Sequence, residues 1–210
     1  MPIDSVPTLV LGTTNAGKLR ELTELLEPLG IQCRSLAGLT NAVEVDETGS
    51  SFAENAALKA SQQARALGRW VLAEDSGLCV DALAGAPGIY SARFAVDRAG
   101  SGNADDRNNA LLLERLAALP SAPRSAHYAC HAALAGPDGE IVAVSQGACR
   151  GVIATAAHGG GGFGYDPLFI VPEYHRTFGQ LSPTVKSVIS HRARAMRAII
   201  PAVARWLLRS

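Results

Sequence analysis

The sequence predicts a layered α/β protein, and three observations carry that prediction. Residues 8–35 read as strand, polar loop, amphipathic helix and strand, the order that builds such folds. Along the rest of the chain, short apolar runs of strand length are interleaved with stretches of helical periodicity. The 210 residues are 48% hydrophobic and 18% charged, a composition that fills a sizeable core and argues against disorder. The length suits a single domain over residues 1–210, with room for two lobes.

Each element follows from its own pattern. Thr8-Leu9-Val10-Leu11 is an apolar run ending in Gly12, hence a buried first strand. A polar loop follows, and then Leu19, Leu22, Leu25, Leu26 and Leu29 recur at helical spacing opposite Arg20, Glu21, Glu24 and Glu27. Gly30 closes that helix, and residues 31–35 form a second strand. Residues 38–50 read as a long exposed loop holding Glu44, Asp46 and Glu47. Ser51 stands three residues before Glu54, the spacing of a capping box. The helix it opens runs to about Gly68, with Asn55 and Lys59 on a shared face.

Trp70-Val71-Leu72-Ala73 is a short strand aimed at an acidic turn, Glu74-Asp75-Ser76-Gly77. Gly85-Ala86-Pro87-Gly88 is a turn, and a helix from Asn103 to Leu119 stops at Pro120. Strand-like runs from His127 to Ala135 and from Glu140 to Cys149 flank Pro137-Asp138-Gly139, a hairpin signal. A flexible glycine loop from His158 to Gly164 leads to a strand from Leu168 to Val171. Ser182-Pro183 starts a short helical turn. Ser190 caps the last helix, which turns Met196, Ile199, Ile200, Val203 and Leu207 inward, and Pro201 predicts a kink or break in it.

The bulk numbers exclude several classes. Lys+Arg and Asp+Glu balance at 19 each, so the chain lacks the footprint of a non-specific nucleic-acid binder. Cys33, Cys79, Cys130 and Cys149 show no C-x-x-C spacing and no accompanying His cluster. They read as reduced, mostly buried thiols of a cytoplasmic protein. Met1 to Leu11 has neither a basic segment nor a long apolar run, and no stretch reaches membrane-spanning length. The expectation is a soluble protein with no membrane partner.

Three motifs carry chemistry. Gly12-Thr13-Thr14-Asn15-Ala16-Gly17-Lys18 matches G-x-x-x-x-G-K after a strand and before a helix. Backbone N–H groups, a helix N-terminus and a lysine suit a polyphosphate. Leu19 replaces the Ser or Thr that would hold magnesium, and a surface turn with a solvated lysine is the plain alternative. In Glu74-Asp75, adjacent carboxylates need a cation or proton to offset their repulsion. Hard oxygen ligands suit Mg²⁺, although an ordinary acidic turn has the same composition. Glu47 is a further oxygen donor that spacing alone does not place. The glycine run fits G-x-G-x-x-G, but Pro167 and a strand follow it, so it is no dinucleotide fingerprint. It reads better as backbone approaching a ligand, with Phe163 available to stack on a base. Core packing explains Phe163 and Tyr165 equally well. His191-Arg192 places cations at a helix start, against the helix dipole, which suits ligand work, although a solvated face is the plainer reading of such a pair.

In this order the motifs resemble the inosine/xanthosine triphosphate pyrophosphatase family. The segments are Thr14 to Lys18, Phe52 to Ala56 with Lys59, Glu74 to Leu78, Gly85 to Arg93, Gly162 to Pro167, and Lys186 through Arg192. The resemblance implies an elongated mixed β-sheet flanked by helices, two lobes with the active cleft between them, and a homodimer. It implies hydrolysis of dITP, ITP or XTP to monophosphate and pyrophosphate with Mg²⁺. Thr13, Thr14, Asn15, Ala16, Gly17 and Lys18 would hold the triphosphate, assisted by Lys59 and Lys186. Glu47, Glu74 and Asp75 would handle the metal, with Asp75 as general base and Ser76 on the substrate. Phe163, Gly164, Tyr165 and Asp166, with His191 and Arg192, would enclose the base and favour a 6-oxo purine. The chain departs mildly from the pattern at Thr14, often Gly, and at Glu74, often Asp, which leaves open which carboxylate binds metal directly. The rival readings are a phosphate-loop kinase or ATPase releasing orthophosphate, and a non-catalytic nucleotide sensor.

Overall fold

In the computed structural model, which describes residues 6–97 and 102–208, the Thr8–Leu11 run forms strand β1 and pairs in parallel with its neighbours on both sides. These are β2 (Gln32–Ser35) and β3 (Val71–Val80). The sheet continues through β4 (Ser125–Ala135), β5 (Ile141–Ile153), β6 (Phe169–Val171) and β7 (Arg176–Thr177). Its order is β2-β1-β3-β4-β5-β6-β7. β6 runs antiparallel to both β5 and β7, so the seven-stranded sheet is mixed. Five α-helices accompany it among the described residues: α1 (Ala16–Leu26), α2 (Phe52–Leu67), α3 (Ala104–Ala117), α4 (Pro183–Ile189) and α5 (His191–Leu207). None is long and apolar enough to cross a membrane. Residues Met1 to Ser5, which enter the leader expectation, lie outside the described residues.

The chain gathers into two compact units, and β3, β4 and β5 contribute residues to both. The first unit takes residues up to Asp75, 130–147, and Arg192 onward. Strand alternation sorts its core. Leu9 and Leu11 pack with Leu22 and Leu26 of α1 and with Met196, Ile199 and Val203 of α5. Val10, between them, packs instead with Ala56, Ala60 and Ala64 of α2. A period of two in β1 thus meets helices on both faces. The second unit, residues 76–129 and 148–191, buries Leu78 and Val80 with Leu112 and Leu116 of α3 and the rings of Tyr128, Phe169 and Phe178.

Four local expectations change. Glu74-Asp75-Ser76-Gly77 is not a turn, because β3 runs through it without interruption. The two carboxylates are buried and neutralised by cations from other elements, so the strand keeps its path. The Ser51 capping box is half formed. Ser51 Oγ accepts from the Glu54 amide, but Glu54 Oε2 accepts from the amide and hydroxyl of Ser50. A full box forms instead at α3, between Asn103 and Asp106. Pro201 does not break α5, which continues to Leu207. It lies on the exposed side of that helix, where the loss of one backbone N–H donor is tolerated. The hairpin strands are also longer than their patterns suggested, starting at Ser125 and ending at Ile153.

Gly12 ends β1 where the chain passes close to β3. A Cβ there would lie 2.8 Å from Ala73 Cβ, and neither atom is at the end of a flexible side chain. Gly12→Ala is therefore expected to destabilise the protein by about 1–3 kcal/mol. Thermal unfolding should show a midpoint several degrees lower; an unchanged midpoint would contradict the packing described.

Candidate active site

The first unit assembles a charged cluster around the end of its share of β3. Helix α1 begins where Asn15 Oδ1 accepts from the Lys18 amide at 3.0 Å, and Thr13 Oγ1 accepts from the Asn15 amide at 3.2 Å. These two bonds shape the Thr13–Lys18 loop, and Lys18 Nζ lies 3.2 Å from Glu74 Oε1. Glu74 is almost wholly buried. Its Oε1 also accepts from Arg192 Nε at 3.1 Å and Nη2 at 3.0 Å, and its Oε2 from the Cys130 thiol at 3.3 Å. Arg192 Nη1 reaches Glu21 Oε2 of α1 at 2.5 Å. Burial opposes the Arg192 charge, yet Glu74 and then Glu21 outweigh it and hold the pKa above the ordinary arginine value. Burial, reinforced by Glu74, pushes the Cys130 thiol well above the usual range.

Asp75 is served by one face of α2. Lys59 Nζ donates to Asp75 Oδ1 at 2.9 Å and to Glu47 Oε1 at 3.2 Å. Asn55 Nδ2 donates to Asp75 Oδ2 at 3.3 Å. Asn55 and Lys59 are one helical turn apart, which is why both reach the same carboxylate. Burial pulls the Lys59 ammonium down, but Asp75 first, then Glu47 and Glu74, outweigh it, so its pKa stands above the ordinary lysine value. Among the described residues no three His, Cys, Asp or Glu side chains form a ready metal cluster. Glu47 and Asp75 do converge on one cation, the Lys59 ammonium. Their hard oxygens are the kind of donor set that Mg²⁺ takes.

The second unit holds a different set. Asp166, buried, accepts from the Phe163 amide at 2.9 Å and from Lys186 Nζ at 2.5 Å through the same oxygen. The Lys186 ammonium lies 4.8 Å from the centre of the Phe163 ring, within cation–π range. Gly162 has φ +78, and a Cβ there would collide with Asp166 Oδ2. Glycine is thus required where the loop wraps that carboxylate. The loop is tied down by backbone bonds from His158 to Pro167 and from Gly161 to Gly179. Gly164 donates to Asp105 at 2.7 Å and accepts from Asn109 at 3.0 Å. Tyr165 is core: its buried hydroxyl donates to the Ser91 carbonyl at 2.8 Å. Burial and then Asp105 raise its pKa. His191 stacks on Tyr128, ring centres 4.5 Å apart and planes 8° apart.

The residues expected from sequence therefore fall into two groups. Lys18, Glu47, Lys59, Glu74, Asp75 and Arg192 meet in the first unit; Phe163, Gly164, Asp166 and Lys186 meet in the second. Arg192, expected beside a base, has its guanidinium on Glu74 and Glu21. Glu21, Asn55 and Cys130 were not among the expected site residues. Asn55 was legible, since it shares a helix face with Lys59. Glu21 looked like solvent-facing helix, because its partner lies 171 positions away.

A mixed α/β sheet carrying buried, lysine-paired carboxylates beside a G-x-x-x-x-G-K loop defines a class of α/β proteins with a charged cluster at a strand. Within that class, residues 9–202 match the Ham1 family model, and the chain belongs to that family. It is 53% identical over 197 residues to a dITP/XTP pyrophosphatase from Rhodopirellula baltica, covering 94% of this chain and 93% of that one. It is 48% identical over 188 residues to a dITP/XTP pyrophosphatase from Geobacillus kaustophilus, covering 90% of each. Among solved structures, a HAM1 protein from Coxiella burnetii aligns with a TM-score of 0.83 at 36% identity, over 95% of this chain and 100% of that one. The Staphylococcus aureus Ham1 protein aligns at 0.80 and 38% identity, over 95% and 99%. The mixed sheet with flanking helices is the fold that the resemblance implied.

The Lys59 pairings carry a pH signature. A raised folded-state pKa gives stabilisation that is complete below the unfolded lysine range and is lost only as pH rises through the folded value. The stability difference between wild type and Lys59→Met should be constant from about pH 6 to about pH 9 and shrink at higher pH. Urea unfolding across that range measures it. A difference that grows with alkalinity would contradict the pairing.

Proposed function

We propose that this chain hydrolyses non-standard purine nucleoside triphosphates, dITP/ITP and XTP, to the monophosphate and pyrophosphate, clearing deaminated purines from the nucleotide pool. The observation that carries the reading is Asp75, a buried carboxylate oriented by Lys59 and Asn55, in a chain of the Ham1 family. Asp75 takes a proton from water as the water oxygen bonds to the α-phosphorus. The bond from that phosphorus to the bridging oxygen breaks, and pyrophosphate leaves with the electron pair. The Thr13–Lys18 loop, Lys59 and Lys186 supply positive charge for the phosphate oxygens, and Ser76, next in the chain after Asp75, contacts the substrate.

Magnesium belongs to this reading. Glu47 and Asp75 are the residues that would hold it, because they already share one cation and Glu47 is partly open to solvent. Bound there, the ion would neutralise phosphate oxygens. Glu74 is the weaker ligand, since the deeply buried Arg192 fork and the Cys130 thiol hold its oxygens. Phe163, braced by Lys186, offers a ring face to the purine. Gly164, Asp166 and His191 complete the base-recognition set. A set of donors placed for O6 rejects a 6-amino purine because those donors would be left unpaired. A homodimer accompanies the reading on the family resemblance, and a cytoplasmic location on the cysteine pattern.

Product analysis tests the reaction: ITP should yield pyrophosphate, whereas orthophosphate or a phosphorylated acceptor would mark a phosphate-loop enzyme. Asp75→Asn should lower kcat at least roughly a hundredfold while triphosphate binding persists. Wild-type turnover in that variant would remove Asp75 as the base. Chelation should abolish turnover and added Mg²⁺ should restore it.

A further inference from the structure

We propose that Gln63 is a positioning residue for Glu47, the loop carboxylate that would hold magnesium. Gln63 lies within α2 and is 4% exposed. Its side-chain amide meets a single residue with both ends. Nε2 donates to the Val43 carbonyl at 2.5 Å, and Oε1 accepts from the Val43 amide at 3.2 Å. A glutamine side chain ends in the same kind of amide group as the backbone. The pairing therefore copies one rung of a β-ladder onto a segment that forms no strand.

Val43 is one end of a clamped segment. At the other end the Gly49 amide donates to Asn55 Oδ1 at 2.8 Å, and a Cβ on Gly49 would lie 2.6 Å from that same oxygen. Between the two ends, Glu47 Oε1 takes Lys59 Nζ at 3.2 Å. Asn55, Lys59 and Gln63 recur every four residues along one face of α2. Among the described residues, these three side chains make every hydrogen bond that residues 43–49 form beyond themselves. The Lys59 contact is the weakest hold, because the Glu47 side chain is 29% exposed and a solvent-screened ion pair contributes little. In the proposed reading Lys59 also turns to a phosphate. The amide clamps do not depend on charge, so they keep Glu47 in place when the ammonium leaves it. Packing alone does not call for an amide at position 63. Ala56, Ala60 and Ala64 of the same helix are core, and burying an amide is costly unless its ends are bonded. The consequence for magnesium rests on the proposed function; the hold on the segment does not.

The experiment compares wild type, Gln63→Met and Leu67→Ala in two readouts, each below the variant's unfolding temperature. Methionine keeps the length of the side chain and loses both bonds. Leu67 packs on the same core cluster and makes none of the clamping bonds, so its variant controls for lost stability. The first readout is hydrogen exchange of the residue 44–49 amides in metal-free protein, followed by NMR. Val43 is left out because its own amide loses its partner directly. Gln63→Met should speed this exchange roughly three- to tenfold, the size of one neutral hydrogen bond. Leu67→Ala should leave it at the wild-type rate, because the segment opens locally. The second readout is the Mg²⁺ concentration for half-maximal ITP turnover. It should rise by a similar factor in Gln63→Met, with kcat at saturating Mg²⁺ held. Wild-type exchange in Gln63→Met, or an equal acceleration in Leu67→Ala, overturns the proposal. So does a fall in kcat with no change in the Mg²⁺ requirement. If wild type releases no pyrophosphate from ITP, the proposed function fails, and the exchange rates still decide whether Gln63 holds the segment that carries Glu47.

Discussion

The structure depends on burying two consecutive carboxylates in a strand. Glu74 and Asp75 lie within β3 with exposures of 1% and 5%. Neighbouring side chains of a strand point to opposite faces, so each acid requires its own source of positive charge. Glu74 draws on Arg192 at the start of α5 and Lys18 at the start of α1. Asp75 draws on Lys59 in α2. Removing one partner of such a buried pair costs about 3–5 kcal/mol, because the other charge is left uncompensated. The acids therefore tie residues of three helices to the strand, and none of these cations can be lost without leaving a buried charge uncompensated.

The same arrangement gives the two acids different chemistry. The guanidinium on Glu74 is rigid, deeply buried and tied at its far end to Glu21. That carboxylate is committed to holding donors in place. Asp75 faces an ammonium on a flexible stem that is shared with Glu47, a loop residue. In the proposed reading a metal ion takes the place of that shared cation on the two carboxylates, and the ammonium turns to a phosphate group. The proposed division of labour, an anchoring Glu74 and a reacting Asp75, follows from that difference in partners.

In the second unit, burial again separates roles that composition left together. Phe163 and Tyr165 lie two residues apart in sequence, with similar rings. The Tyr165 hydroxyl is fastened to the Ser91 carbonyl inside the core, whereas Phe163 is half-buried and carries the Lys186 ammonium over its ring. Asp166 links the two effects by accepting from both the Phe163 amide and Lys186. Its position depends on Gly162, where any side chain would occupy the space of the carboxylate.

The amino-acid sequence by itself determined the strands and helices whose patterns are local. β1 appears in the apolar run before Gly12, α1 in its leucine spacing, and the β4–β5 hairpin in Pro137-Asp138-Gly139. It also determined which residues share a helix face, and Asn55 and Lys59 meet Asp75 for that reason. Tertiary structure decided what local pattern does not encode. It made a strand of the segment read as an acidic turn, because cations remote in sequence removed the repulsion that would have exposed it. It carried α5 past Pro201 on a solvent-facing side, and it brought Cys130 and Arg192 onto the Glu74 carboxylate and Glu21 onto Arg192. A hydrogen bond across 118 or 171 positions leaves no periodicity in the chain, so only the packed fold shows which charges meet.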